Sequence, residues 1–140
     1  MKSSYQYRFV FLIALISLLA GTVNYLLLRP DIILFKITGI SVTALHIKNN
    51  FIQHFLTNYF SDIAWCFALC CIAFALAELN YIRLSGKILV LLLPFITEVL
   101  QYSKIINGTF DWFDVLIYSI IIILFVLFFP TLKTFVYEKN

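Results

Sequence analysis

The sequence predicts an all-α membrane protein, built as a four-transmembrane-helix bundle with an additional amphipathic interfacial helix in the first outer loop. Composition is the first reason. Hydrophobic residues make up 63% of the 140 residues and charged residues 12%, whereas soluble proteins contain roughly 45–50% and about 25%. The second reason is that four apolar runs, with their polar ends, each reach the roughly 20 residues that a spanning helix needs. The length fits a single domain, residues 1–140.

The four membrane helices are placed by these apolar runs and their flanking residues. We expect them at about residues 9–28, 63–82, 88–103 and 113–130. Tyr, Trp and Lys near the ends are typical anchors at a membrane surface, and Pro130 closes the fourth run because proline interrupts a helix. Lys2 and Arg8 precede the first run, so a cleaved signal peptide is its alternative interpretation. No A-x-A cleavage pattern follows that run, which favours a membrane helix.

The connection between the first two helices contains the predicted interfacial helix, at about residues 44–59. Apolar residues recur there at helical spacing, namely Ala44, Ile47, Phe51, Phe55 and Tyr59. Lys, Asn, Gln and His fill much of the other face, so this helix is amphipathic and is expected to lie along the membrane surface. We interpret His46 and His54 as polar residues of that segment rather than as ligands or bases.

The distribution of Lys and Arg predicts the orientation. Six of the 10 basic residues lie in the N-terminus, in the loop between the second and third helices, and in the C-terminal tail. The positive-inside rule therefore favours a multi-pass protein of the cell (plasma or inner) membrane with both termini in the cytoplasm. The long first loop and the loop before the fourth helix then face outward.

Under this topology, carboxylates that are distant in sequence meet at the outer face of the membrane. Glu98 and Gln101 are three residues apart and Tyr102 is four from Glu98, so the three side chains share a helix face. Asp111 and Asp114 repeat the spacing of three, and Tyr118 follows four residues later. The candidate polar site consists of Arg29, Asp62, Glu98, Gln101, Tyr102, Asp111, Asp114 and Tyr118, and Asn24 is expected to complete it.

Capping is the structural alternative for two of these acids. Asp62 follows Ser61 at the start of the second helix, and Asp111 precedes the fourth, where a carboxylate caps the helix and interacts with its dipole. Glu98 is least explained in this way, because an ionised side chain within a membrane costs several kcal/mol unless it is paired or hydrated. Pro94, four residues earlier, is expected to kink the third helix and free a carbonyl beside the site.

A longer pattern resembles a known family. The order E-x-x-Q, a short loop ending in G-T-F-D, and a further Asp three residues later resembles the VanZ-like small integral membrane proteins. The residues are Glu98, Gln101, Gly108, Thr109, Phe110, Asp111 and Asp114. The segment NYFSDIAW, with Asp62 and Trp65, is similar to the start of helix two in that family. The resemblance covers about residues 20–130, and it implies a cell-envelope role linked to tolerance of glycopeptide antibiotics of the teicoplanin type.

Three functional interpretations remain open from the sequence. The acids could bind or shield an envelope lipid or a peptidoglycan-related component through a cationic or amide-rich head group, and such a site could hold an ammonium group or a divalent cation. They could act as acid and base in a membrane-embedded enzyme on a lipid-linked substrate. They could also serve only packing, in an accessory subunit. We expect the lipid bilayer as a partner, no nucleic acid because no basic stripe is present, and no cofactor. Cys66, Cys70 and Cys71 are interpreted as small buried apolar residues rather than metal ligands.

Overall fold

The structure, a computed structural model, describes residues 3–29, 43 and 47–137, with side chains between positions 7 and 129 of these ranges. Four helices form the described chain: α1 (Ser3–Leu28), α2 (Asn50–Glu78), α3 (Leu84–Tyr102) and α4 (Trp112–Tyr137). Each is long and apolar enough to cross a membrane, and the described residues contain no strand. The all-α fold class and the four candidate membrane helices are therefore confirmed. The predicted end of the fourth helix at Pro130 is wrong, because α4 continues through that residue to Tyr137.

The second helix begins earlier than expected. It has three consecutive parts: an α-helical segment Asn50–Phe55, a π-helical segment Leu56–Phe60 and an α-helical segment Ser61–Glu78. Asn49 caps the start, because its side-chain oxygen accepts from the backbone N–H groups of Phe51 and Ile52 at 3.0 and 3.2 Å. This cap explains why the helix starts at Asn50 rather than near residue 63.

The interfacial helix expected at about residues 44–59 is not a separate element of the described chain. Residues 50–59 are helical, but they continue without a break into the membrane-spanning part of α2. Residues 47–49 are not helical, and residues 44–46 lie outside the described residues. That the start of α2 lies along a membrane surface stays a prediction.

The predicted end of the second helix, near residue 82, was too late. α2 ends at Glu78 because Asn80 adopts a left-handed backbone conformation with φ 60°. Two backbone hydrogen bonds close this end, from Tyr81 N–H to the carbonyl of Leu76 at 2.9 Å and from Asn80 N–H to the carbonyl of Ala77 at 3.1 Å. This is the Schellman arrangement, which stops a helix by satisfying its last carbonyls.

Helix α2 is the centre of the bundle. Its buried residues are mostly small, with Phe74 as the one large side chain; the small ones are Ser61, Ala64, Cys66, Ala68, Cys70, Cys71, Ala73 and Ala75. Small residues let neighbouring helices approach closely, which is how helices associate in lipid. The three cysteines are unbridged and buried, as predicted.

The other helices surround α2 unequally. α1 packs along α2, while α3 and α4 pack on α2 and on each other. Within the described residues, no comparable packing joins α1 to α3 or α4. Large apolar side chains of α1, α3 and α4 point outward, as expected of surfaces that face lipid.

The two ends of the bundle differ in chemistry. At the end where α2 and α4 finish and α3 begins, Phe74 packs on Phe125 and Phe129 with ring centroids 5.0 and 4.7 Å apart. The Lys87 ammonium lies 3.4 Å from the centroid of the Phe74 ring. Aromatic rings and a cation therefore close that end. The opposite end, formed where α1 and α3 finish and α2 and α4 begin, holds the candidate site and is called the site end below.

Candidate functional site

An open cavity of about 810 Å³ occupies the site end. It lies over α2, where the C-terminal parts of α1 and α3 are not packed together. Seven of the eight side chains in the predicted polar site line it: Arg29, Asp62, Glu98, Gln101, Asp111, Asp114 and Tyr118. The fold thus brings together three carboxylates from α2, α3 and α4, the carboxylate of the residue preceding α4, and the guanidinium of the residue that follows α1.

Glu98 is the most deeply buried of these acids, with 3% of its surface exposed. Its Oε2 accepts a hydrogen bond from the backbone N–H of Asp111 at 3.3 Å. The carboxylate therefore ties the last turn of α3 to the residue that precedes α4. This contact gives Glu98 a structural role in addition to its place in the cavity wall.

Asp111 caps α4. Its Oδ1 accepts from the backbone N–H of Phe113 at 2.8 Å, and the helix begins at Trp112. The capping interpretation of Asp111 is therefore correct, because the carboxylate satisfies one of the unpaired N–H groups of the first turn. The same residue also lines the cavity.

Asp114 is the third residue of α4, the position that the acidic residue of a capping box occupies. In a capping box, the side chain three residues after the cap accepts from the N–H of the capping residue. Here Glu98 already accepts from the Asp111 N–H. The Oδ1 of Asp114 is buried and has no hydrogen-bond partner in the described part of the chain. Its carboxylate therefore lies in the cavity wall, and no hydrogen bond to Oδ1 within the described residues gives it a structural role.

Asp62 does not cap a helix, contrary to the alternative interpretation from the sequence. The helix passes through residues 60–62 without a start there, so Asp62 lies inside α2 and its backbone does not need a cap. Its Oδ1 instead accepts from the Tyr118 hydroxyl at 3.4 Å. This contact joins α2 to α4 in the wall of the cavity.

Arg29 is fixed by the π-helical segment of α2. Its Nε donates to the carbonyl of Thr57 at 2.9 Å and its Nη2 to the carbonyl of Asn58 at 3.4 Å. The guanidinium also lies 5.0 Å from the centroid of the Tyr25 ring, a favourable cation–π distance. Arg29 therefore holds the end of α1 against α2 while it lines the cavity.

Asn24 supports the same segment and does not line the cavity. Its Nδ2 donates to the carbonyl of Leu56 at 2.7 Å and to the Ser61 hydroxyl at 3.0 Å. With Arg29, it supplies donors to three successive carbonyls of the π turn. Side chains that enter the backbone ladder in this way are a known cause of a local helix irregularity, and π turns often occur at functional sites. Asn24 was expected to complete the polar cluster, and it instead supports the wall.

Tyr102 was expected to share the Glu98 face, and the structure places it elsewhere. The side chain is 73% exposed and lies outside the cavity lining. Its ring packs edge-on against Phe110 with centroids 5.3 Å apart. As the last residue of α3 it lies beyond the final packed turn, so the loop aromatic is its nearest apolar partner.

One wall of the cavity is aromatic, and the sequence analysis did not predict it. Tyr25, Tyr59 and Trp65 line the cavity beside the carboxylates. Trp65 lies 5.3 Å from Tyr25 and donates its Nε1–H to the Thr22 hydroxyl at 3.3 Å. A pattern in the sequence of α2 could have indicated this wall. One helix face carries residues at intervals of three to four positions, namely Asn58, Asp62, Trp65 and Leu69.

The loop before α4 covers one side of the cavity, and Gly108 shapes it. The backbone of Gly108 has φ +153°, a region that side-chain-bearing residues rarely adopt. A Cβ added there would lie 2.6 Å from Cδ of Gln101. The glycine therefore allows the loop to lie directly on the Gln101 side chain, which lines the cavity.

This arrangement offers carboxylate acceptors and aromatic faces in one open space, which suits recognition of a cation. In the described part of the chain, no group of three or more His, Cys, Asp or Glu residues is arranged to hold a metal ion. Comparison with protein-family models, with curated proteins and with solved structures gave no match.

Proposed function

We propose that this chain is a VanZ-like membrane protein of the cell envelope that binds a cationic group of an envelope component in the cavity at its site end. The observation that carries this proposal is Asp114. Its buried Oδ1 lacks a partner among the described residues and lies in the wall of a cavity with three further carboxylates. An acceptor without a partner is costly, and a bound donor or cation would satisfy it.

The resemblance on Glu98, Gln101, Gly108–Asp111 and Asp114 supports the family part of the proposal. The motif residues Glu98, Gln101, Gly108, Thr109, Asp111 and Asp114 all line one cavity, which is expected if the motif serves one site. The positive-inside bias supports a site end that faces outward, where glycopeptide antibiotics and cell-wall components are found.

A purely structural role is the competing interpretation, and it has its own support. Glu98 bonds the backbone at Asp111, and Asp111 caps α4, so both acids stabilise the fold. A loss of activity after their replacement would therefore be ambiguous. Asp114 and Gln101 are better positions for testing binding.

Orientation can be tested by cysteine labelling in intact cells, in a variant whose three native cysteines are replaced by alanine. One probe replaces Ile106 in the loop at the site end, and the other replaces Ser85 at the opposite end; both positions are exposed. Labelling from outside at position 106 alone is the expected result. Labelling at position 85 alone would turn the site end toward the cytoplasm and overturn the envelope proposal.

Function can be tested by growth of the host in teicoplanin, comparing cells that lack the protein with cells that express Asp114→Asn or the unmodified chain. Glu78→Gln is the matched control, because Glu78 is an exposed acid at the opposite end of the bundle. We expect Asp114→Asn to behave like the deletion at equal membrane abundance, and Glu78→Gln to behave like the unmodified protein. Full tolerance with Asp114→Asn would contradict a role for the cavity.

A further inference from the structure

The lining of the cavity changes from polar to apolar along the axis of the bundle. Its polar part lies near Glu98 and Asp62, and its deeper part is lined by Leu18, Leu69 and Leu93. At a rise of about 1.5 Å per residue, Leu69 lies roughly 10 Å below Asp62 and Leu93 roughly 7–8 Å below Glu98. The space therefore continues from a charged mouth at the site end to an apolar end between helices that are long and apolar enough to cross a membrane.

The deeper part is also open to the side. Within the described residues, α1 packs extensively against α2 and not against α3. The two helices α1 and α3 therefore lie on α2 without close packing between them. Leu18 and Leu93, on these two helices, are both partly exposed to the surroundings of the bundle. A hydrocarbon chain can therefore lie between α1 and α3 without displacing packed side chains, and lipid on the outside is its natural source.

The mouth suits an organic ammonium group better than a metal ion. Calcium requires about six to eight oxygen ligands at close distance, and the described residues hold no metal-ligand group. The aromatic faces of Tyr59 and Trp65, beside Asp62 and Asp114, instead match an alkylated ammonium, which is attracted to rings and donates to carboxylates. The volume of about 810 Å³ is also within the range of roughly 300–1,000 Å³ for organic ligands.

We infer that the cavity binds an amphiphile, with its organic ammonium head group among the carboxylates and its hydrocarbon chain between α1 and α3. This rests on the proposed function, and it adds the class of ligand and the route by which the ligand enters. The ligand reaches the site from within the membrane rather than from the aqueous phase.

The test uses Trp65 as a reporter inside the cavity. Trp112, the other tryptophan, is exposed outside the cavity lining, so the full chain with Trp112→Phe has one emitting indole. This protein is placed in nanodiscs of phosphatidylglycerol with increasing phosphatidylethanolamine. Parallel samples receive ethanolamine in solution, or magnesium or calcium chloride at matched ionic strength.

We expect a saturable change of Trp65 emission with phosphatidylethanolamine. The response to ethanolamine should be at least about tenfold weaker, since ethanolamine lacks the hydrocarbon chain whose burial favours binding.

Two matched pairs of variants locate the site. Leu93→Phe fills the deeper end of the cavity, whereas Leu92→Phe adds the same ring to the neighbouring exposed position outside the lining. Asp114→Asn removes a carboxylate from the mouth, whereas Glu78→Gln does so at the opposite end. We expect Leu93→Phe and Asp114→Asn each to weaken the response about fivefold or more, as a lost contact of roughly 1 kcal/mol or above implies, and their controls to leave it unchanged.

Each contrary result has its own meaning. An equal response to dissolved ethanolamine, or no effect of Leu93→Phe, would overturn the amphiphile and leave the cation site standing. A saturable response to magnesium or calcium alone would replace the ammonium by a metal. No response to any cation, in protein that unfolds cooperatively, would overturn both this inference and the proposed function.

Discussion

The carboxylate of Glu98 accepts a hydrogen bond from the backbone N–H of Asp111, 13 residues later, and thereby joins the end of α3 to the cap of α4. In a capping box, the side chain at position 114 would accept a hydrogen bond from this same N–H group. Here Glu98 accepts it instead. A structural contact of one acid therefore leaves another acid available to the cavity.

Replacement of Glu98 should separate its hydrogen bond from its charge. Glu98→Gln keeps a side-chain oxygen that can accept from Asp111, so we expect a change in the free energy of unfolding below about 1 kcal/mol. Glu98→Leu leaves the partly buried Asp111 N–H without its acceptor, and we expect a loss of about 1–3 kcal/mol. Thermal unfolding of the purified protein in detergent measures both, and equal stability of the two variants would contradict the role of this bond.

Replacement of Asp114 should not destabilise the protein. Its Oδ1 has no hydrogen-bond partner among the described residues, and an unsatisfied buried acceptor costs about 1–3 kcal/mol. We therefore expect Asp114→Ala to unfold at the same or a higher temperature than the unmodified chain. Sites built for binding commonly show this exchange of stability for function. A clear fall in unfolding temperature would mean that Asp114 has a structural partner.

The donors that serve the π turn should be needed for its local stability. Asn24→Leu removes the donor to the carbonyl of Leu56 and to Ser61, and we expect a loss of about 1–3 kcal/mol. Hydrogen exchange of the backbone amides of residues 56–62 should become faster, while that of α4 changes little. Val23→Leu is the matched control, because Val23 is the exposed neighbour on α1. Equal exchange in both variants would show that the π turn does not depend on Asn24.

Gly21 should tolerate no side chain. A Cβ there would lie 2.8 Å from Trp65 and 3.0 Å from the Cβ of Ala64, so α1 and α2 would have to move apart. We expect Gly21→Ala to cost about 1–3 kcal/mol through overpacking. Ala20→Leu, at the exposed neighbouring position, should have almost no effect. Unfolding curves of the two variants make the comparison, and a stable Gly21→Ala protein would contradict the tight approach of the helices.

Gly108 should be required for the shape of the loop over the cavity. Gly108→Ala combines a clash with Gln101 and a backbone conformation with φ +153° that alanine rarely adopts. We expect the loop to move away from Gln101, so that a cysteine probe at Ile106 reacts several times faster while the unfolding temperature changes little. Thr109→Ala, which keeps the backbone free of strain, provides the comparison. Unchanged reactivity after Gly108→Ala would show that the loop does not rest on Gln101.

Composition and periodicity predicted the four helices because lipid imposes long apolar runs on the chain. Seven of the eight residues predicted for the polar site line the cavity, since antiparallel helices bring Asp62, Glu98 and Asp114 to one end. The start of α2 was not predictable in the same way. The π turn at Leu56–Phe60 depends on Asn24 and Arg29, which are more than 25 residues away along the chain.

The aromatic wall and Tyr102 show a related limit. Trp65 and Tyr59 are residue types typical of membrane-surface anchors, and residue type does not distinguish that use from the place in the cavity wall that the structure gives them. Tyr102 has the correct spacing from Glu98, but spacing gives the direction of a side chain and not its partner. The Phe110 ring, in the loop that follows, determines where Tyr102 lies.

The central position of α2 also constrains how the protein is made. Within the described residues α1 packs mainly on α2, so we expect these two helices to associate as a hairpin once both have entered the bilayer. One wall of the cavity, with Arg29 already held by the π turn, then exists before α3 and α4 are synthesised. The acids Glu98, Asp111 and Asp114 arrive last, so a chain stopped after α2 would carry Asp62 opposite lipid with no facing wall. In such a chain, Asp62 would also lack the hydroxyl of Tyr118 on α4, from which its carboxylate accepts a hydrogen bond in the complete bundle.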